Sequence, residues 1–167
     1  MTVYFISPIG KLKITASESA IRSIYFIEDN IYVSELDTEF EQESNFILDK
    51  CLSQLDEYFF GDRKSFDLPM EMEGTDFQRQ VWNELLKIPY GTTISYLELS
   101  EIIGNKKTIR AVAKANAENK IPIIIPCHRV IGTNGNLTGY SGGLKRKRWL
   151  LDHETEVAKT RVQLSLF

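Results

Sequence analysis

Cys127 stands in the run Ile125-Pro126-Cys127-His128-Arg129-Val130, with Asn119 upstream and Ser141-Gly142-Gly143 downstream. A thiol followed directly by an imidazole is a candidate nucleophile, because sulfur attacks as the thiolate. A free cysteine titrates at about 8.5, so a basic neighbour has to raise the thiolate fraction near neutral pH. Pro126 on one side and a glycine-rich stretch on the other predict a fixed, non-helical backbone that presents the sulfur to a pocket. A free cysteine is also among the residues most often buried and inert, so the Cys-His pair alone leaves both readings open. The other cysteine, Cys51, falls on an apolar helical stripe and reads as core. Two cysteines and two histidines supply neither a disulfide framework nor a zinc cluster, so no metal and no cofactor is expected.

Charge separates the chain into two halves. From Gly104 to Arg148 there are ten Lys or Arg (106, 107, 110, 114, 120, 129 and 145–148) against one acid, Glu118. Residues 1–73 carry six basic and fifteen acidic side chains. A basic segment that surrounds a candidate nucleophile reads as a surface for a polyanion, with phosphate the obvious partner. The hydrophobic fraction of 43% and charged fraction of 26% are those of a globular domain, which excludes a disordered chain. No apolar run is long enough to span a bilayer, and the opening MTVYFISPIGKLKI lacks the basic and apolar regions of a secretory signal. A reducing cytoplasm is the expected location.

The elements that position Cys127 can be placed from periodicity and turn chemistry. Val3–Ser7, the turn Pro8-Ile9-Gly10 and Leu12–Ala16 predict a hairpin, with Ile21–Ile27 as a third strand. Phe46, Leu48, Cys51, Leu52, Leu55, Tyr58 and Phe59 recur at helical spacing, and Gly61 should stop that helix. Pro69 to Thr75 reads as a linker. Beyond it, Thr75 or Asp76 caps a helix with Phe77, Val81, Trp82, Leu85 and Leu86 on one face, ending before Pro89-Tyr90-Gly91. A short helix from about Tyr96 to Ile103, a turn at Gly104-Asn105 and a helix over 109–119 capped by Thr108 make a helix-turn-helix candidate. Arg110 and Lys114 lie one turn apart on the second helix, as DNA contacts would; the alanines at 111, 113, 115 and 117 fit close packing equally well. Ile121–Ile125 resembles a buried strand interrupted by Pro122. Gly132–Gly143 holds five of the ten glycines and could let backbone N–H groups approach a planar ligand. A last helix, Leu144–Glu154, carries Trp149, Leu150 and Leu151 on its apolar side and Glu154 at its end.

From about Thr75 to Glu154 the chain resembles the O6-alkylguanine-DNA alkyltransferase family, the methylated-DNA–protein-cysteine methyltransferases. The resemblance rests on Phe-Gln-Arg-Gln-Val-Trp, Gly-Thr-Thr-Ile-Ser-Tyr, Arg-Ala-Val, Asn119, Ile-Pro-Cys-His-Arg-Val, Gly-Tyr-Ser-Gly-Gly-Leu and Leu-Leu-Asp-His-Glu, in that order. It implies an α/β (α+β) architecture: an RNase H-like domain with linker over 1–73, a mainly helical alkyltransferase and DNA-binding domain over 74–154, and a tail over 155–167. The family's bifunctional regulator, which carries a cysteine-rich metal domain ahead of these units, is not the expected member.

The resemblance also implies roles. Cys127 is the alkyl acceptor, His128 its base through a water, and Glu154 the group that orients and charges the imidazole. Asn119 ties the backbone around Cys127, and Tyr96 donates a proton to the departing guanine. Arg110 fills the stack when the base is flipped out. Thr108, Ala111, Lys114 and Arg129 meet DNA through its minor groove, and Tyr140, Ser141, Gly142 and Val130 wall the base pocket. One departure is visible, since Lys114 and Asn116 occupy recognition-helix positions where some relatives carry small or apolar residues. The expected reaction is transfer of an alkyl group from O6-alkylguanine, or O4-alkylthymine, in double-stranded DNA to the protein's own cysteine, once per molecule, by a monomer. A Cys-His hydrolase, a non-catalytic lesion sensor and a regulatory helix-turn-helix protein are the other classes; turnover, lack of an acceptor thiol and sequence-specific groove contacts would mark them. Finally, Gln163-Leu164-Ser165-Leu166-Phe167 looks like the short peptide by which bacterial repair factors dock to the sliding clamp, with 153–161 as a polar tether. Leu164, Leu166 and Phe167 could instead cover a core edge.

Overall fold

The computed structural model describes residues 1–27 and 45–164. They fall into two compact units, Met1–Met72 and the residues from Glu73 onward. In the first, β1 (Thr2–Ser7), β2 (Gly10–Ala16) and β3 (Ile21–Phe26) form an antiparallel meander with Val3 opposite Ile14 and Ile14 opposite Ile24. Alternation along the strands buries Val3, Leu12, Ile14 and Ile24 on one face. Helix α1 (Phe46–Phe60) starts where the Asn45 side chain accepts from the Leu48 N–H, and it stops at Gly61, whose φ of 84° suits a residue without Cβ. Leu48, Cys51, Leu55 and Tyr58 are buried on its inner stripe. Burial pushes the Cys51 thiol up to about 12, so it is inert core.

The second unit is built on helices. The Thr75 hydroxyl and Gln78 side chain form a reciprocal capping box at the start of α2 (Asp76–Leu85), which buries Val81, Trp82 and Leu85. Ser95 and Glu98 do the same for α3 (Tyr96–Ile103), and Gly104 ends it with φ 111°. A 3-10 turn, Lys106–Thr108, leads into α4 (Ile109–Ala117). The pair α3–α4 is the expected helix-turn-helix, and the Trp82 indole N–H donates to the Ala115 carbonyl at 2.8 Å to lock α2 against α4.

Three local expectations need correcting. Thr108 makes no capping hydrogen bond to α4; its hydroxyl donates back to the Asn105 carbonyl at 2.6 Å, and the Asn105 side chain caps the turn by accepting from Lys107. Ile121–Ile125 is no strand but a buried turn, closed by Ile125 N–H on the Ile121 carbonyl at 3.0 Å, with Ile123 at φ 77°. Pro122 has no N–H for a ladder. A β-branched residue in the left-handed region is strained, at roughly 1–3 kcal/mol. The chain then forms a 3-10 turn, Cys127–Arg129, and β5 (Val130–Ile131), which pairs in parallel with β4 (Ile94–Ser95), a pairing too short to show in the sequence pattern. Last, α5 runs Leu144–Leu164, so Glu154 is inside the helix rather than at its end, and the polar stretch after it is helical. Of the terminal peptide, Ser165, Leu166 and Phe167 lie outside the described residues. Among the described residues no helix is long and apolar enough to cross a membrane.

Candidate active site

Glu154 is the hub on which the site is assembled. Helix α5 carries Lys147, Leu150 and Glu154 at i, i+3 and i+7, and all three are buried. The Glu154 carboxylate accepts from four donors. Its Oε1 receives His128 Nε2 and Arg129 Nη2, each at 2.9 Å; its Oε2 receives Arg129 Nε at 2.9 Å and the Gly91 N–H at 3.0 Å. Gly91 has φ 73°, and a Cβ there would lie 3.1 Å from Ala158 Cβ and 3.2 Å from the Glu154 carbonyl oxygen, so only glycine brings its N–H this close. Burial alone would raise the Glu154 carboxyl, but the hydrogen bonds and charges of His128 and Arg129 more than reverse it and hold it well below the usual carboxylate range.

Arg129 therefore does not meet DNA. It is buried, with the Nε and Nη2 edge of its guanidinium on Glu154 and Nη1 on the Ile88 carbonyl at 2.7 Å. Its cation sits against the carboxylate, which also changes the expected role of Glu154. The His128 imidazole is pushed below its ordinary value first by burial, with the Arg129 and Lys147 charges adding to it and Glu154 only partly opposing. Glu154 fixes the ring and favours its charged form, but burial and the two neighbouring cations outweigh that pull. A neutral imidazole with Nε2 on the carboxylate leaves Nδ1 as the free face, and Nδ1 is buried with no hydrogen-bond partner among the described residues.

Cys127 is 2% exposed at the start of the 3-10 turn, and its N–H donates to the Ile125 carbonyl at 2.8 Å. Asn119 spans the approach: Nδ2 donates to the Ile125 carbonyl and Oδ1 accepts from the Ile121 N–H, both at 2.9 Å. Burial pushes the Cys127 thiol up to about 11, against the opposing pull of the Asn119 amide, the Lys147 charge and the backbone N–H groups of Cys127 and His128. The sulfur thus rests as a thiol, with groups already in place that favour its anion.

Lys147 is the functional residue the sequence reading missed. It is fully buried, and its Nζ donates to the Val130 carbonyl at 2.6 Å and the Thr138 carbonyl at 2.8 Å. Desolvation lowers it to about 8, while Cys127 pulls it back up. It pins the glycine-rich loop to the turn that carries Cys127 and places a cation where a thiolate would form. Its signal was available, since i, i+3 and i+7 spacing with Leu150 and Glu154 puts it on the inner stripe of α5.

Tyr96, at the first turn of α3, is 8% exposed. Its hydroxyl lies 3.4 Å from the Thr138 carbonyl and 3.5 Å from that of Gly139, and it accepts from Asn116 Nδ2 at 3.3 Å. Burial raises its phenol, as does charge on Cys127, which places the two groups in electrostatic contact. A cleft of 420 Å³ opens beside it, lined by Tyr96, Ile109, Arg110 and Ala113 on one side and Gly132, Thr133, Thr138 and Gly139 on the other. None of the four expected pocket residues lines this cleft. Val130 is buried in the β4–β5 pair, and Gly142 is buried and receives Arg146 Nη1 at 3.0 Å. Tyr140 is turned inward, close enough for charge on Cys127 to add to the burial that raises its phenol, while Ser141 is exposed. Arg110, Ala111 and Lys114 are exposed on α4 and Thr108 is half-buried at its start.

Two family models match consecutive parts of the chain. Residues 2–72 match the ribonuclease-like domain of 6-O-methylguanine DNA methyltransferase, and residues 76–156 match the DNA-binding domain of the same family. The chain belongs to the 6-O-methylguanine DNA methyltransferase family. The methylated-DNA–protein-cysteine methyltransferase of Methanosarcina acetivorans is 45% identical over 90% of this chain and 95% of its own length. That of Mycobacterium bovis is 42% identical over 96% and 94%. Among solved structures, Mycobacterium tuberculosis OGT in complex with DNA matches with a TM-score of 0.81 at 41% identity, covering 92% of each chain. Both units of the fold, the small sheet with its helix and the helical unit with its helix-turn-helix, are thus those of this family.

Proposed function

We propose that this protein repairs DNA directly, moving the alkyl group of O6-alkylguanine onto Cys127 in a single irreversible event per molecule. The observation that carries the reading is the buried turn in which a neutral His128, fixed on Glu154, adjoins a thiol with Lys147 beside it. A relative of 41% identity solved on DNA supports the substrate class. In the proposed step the Cys127 proton passes to His128 Nδ1 through a water. Sγ attacks the saturated carbon and the carbon–oxygen bond breaks. The electron pair stays on guanine, and Tyr96 supplies the proton that lets it leave neutral. Imidazolium and phenolate then return to neutral together. The thioether formed has no leaving group, so the protein is spent. The target atom lies inside the duplex, so the nucleotide has to be flipped towards the cleft, and Arg110, on its rim, takes the space in the stack. Arg110, Ala111 and Lys114 face the minor groove in this reading, and the protein acts as a monomer in the cytoplasm.

Incubation with an oligonucleotide containing O6-methylguanine, followed by intact-mass analysis, tests the reaction. One added methyl group on the protein and an unmodified guanine in the DNA are expected. Repaired DNA in molar excess, as a hydrolase would give, refutes it. Cys127→Ser should bind the duplex without repairing it. The terminal Gln163–Phe167 is proposed to dock on a sliding clamp. Truncation after Val162 should abolish clamp binding and leave transfer to oligonucleotides unchanged; equal binding by both forms rejects the docking.

A further inference from the structure

Asn116 touches both reacting partners, although it belongs to the helix that carries Arg110 and Lys114. It is 2% exposed, and its Nδ2 lies 3.3 Å from the Tyr96 hydroxyl and 3.3 Å from the Cys127 carbonyl oxygen. A carbonyl oxygen only accepts, so the amide nitrogen has to face it, and this fixes which way the side chain is turned. The second N–H then points at the phenolic oxygen. Tyr96 accepts there, so its own proton is directed elsewhere, and its neighbours on that side are the Thr138 and Gly139 carbonyls at 3.4 and 3.5 Å, on the wall of the cleft. These are long contacts, readily exchanged for a better acceptor. A hydrogen bond received by a phenol also favours its anion and so loosens the proton.

Stability does not account for an asparagine at this position. Its Oδ1 is buried with no partner among the described residues. A buried amide with one atom unsatisfied is disfavoured relative to an apolar side chain of similar size.

We propose that Asn116 is a positioning residue for alkyl transfer, holding Tyr96 with its proton aimed into the cleft and in register with the backbone of Cys127. The recognition helix thereby carries, on its inner face, the link between the acid and the nucleophile, while its outer face carries Arg110 and Lys114. This rests on the reading of Tyr96 as proton donor.

The test is single-turnover methyl transfer from a duplex oligonucleotide by the full-length protein. It compares the parent with Asn116→Leu, Tyr96→Phe and the double variant, alongside thermal melting and Cys127 alkylation by iodoacetamide. Asn116→Leu should melt no lower than the parent, alkylate with iodoacetamide at the parent rate, and transfer methyl roughly ten- to a hundredfold more slowly. In the Tyr96→Phe background the same change should cost less than about twofold, because the two act as one unit. If leucine does not fit, Asn116→Ala carries the same comparison. Parent-like transfer by Asn116→Leu, a full multiplicative loss in the Tyr96→Phe background, or an equal loss with iodoacetamide overturns the inference. Parent-like transfer by Tyr96→Phe sinks the proton-donor reading itself, which is a distinguishable result.

Discussion

At the residue scale the site is a problem in holding charge out of water. A carboxylate, a guanidinium and an ammonium are buried around one thiol and one imidazole. Glu154 tolerates this because four donors meet its two oxygens. Arg129→Leu should remove half of those donors and leave the carboxylate under-compensated, with a loss of about 3–5 kcal/mol in urea unfolding. It should also raise the pKa of His128, since the Arg129 charge is one of the groups that keep the imidazole neutral. The pH behaviour follows with a definite sign. Glu154 is held low and His128 is held neutral, so the unfolded chain binds more protons than the folded one on the acid side. The His128 contribution is lost as pH falls below about 6.5, and that of Glu154 at lower pH still, as pH falls from its unfolded value of about 4.5 through its depressed folded one. For the reaction, a lone thiol at about 11 would give a rate rising tenfold per pH unit through neutrality. Proton transfer to His128 inside the site leaves the total proton count unchanged, so the single-turnover rate should be nearly flat from about pH 7 to 9 and fall only on the acid side of the ordinary imidazole value, where the depressed His128 finally protonates. A tenfold-per-unit slope in stopped-flow data would remove His128 from the mechanism.

At the element scale, what could be read from the sequence was what local chemistry decides. Thr75, Gly61 and Gly104 marked helix ends in the sequence, while periodicity placed the starts that Asn45 and Ser95 prove to cap; each of these residues meets the orphaned backbone groups of a helix end. Thr108 has the same chemistry and does something else, since a 3-10 turn runs into α4 without a break. The two cases predict different costs. Ser95→Ala should destabilise by about 1 kcal/mol, and Thr108→Ala by a few tenths at most, in paired thermal melts. The turn at Ile121–Ile125 was hidden because an apolar run reads alike whether it is a strand or a folded-up buried loop; its shape is imposed by Asn119 from outside the run. The β4–β5 pair is only two residues a side and carries no periodicity.

At the scale of the whole molecule, the basic stretch around Cys127 was read as one surface, and it is two things. Arg129 and Lys147 are interior cations of the site, while Arg110 and Lys114 are exposed on α4. A sequence cannot distinguish a lysine that faces phosphate from one that donates to two buried carbonyls, unless its helical phase is followed, as Lys147, Leu150 and Glu154 show. The nucleophile was legible for the opposite reason, because cysteine, histidine, asparagine and glutamate sit in a fixed order that few other tasks require. Each unit also carries one buried cysteine, which gives the molecule an internal control: Cys51 has its thiol raised by burial alone, whereas Cys127 has groups that favour its anion. The decisive measurement is a titration of the protein with excess O6-methylguanine duplex, counting repaired guanines at the plateau and mapping the modified peptide. The account predicts a plateau at one per protein with the methyl group on Cys127. Continued turnover, or a methyl group on Cys51, would contradict it.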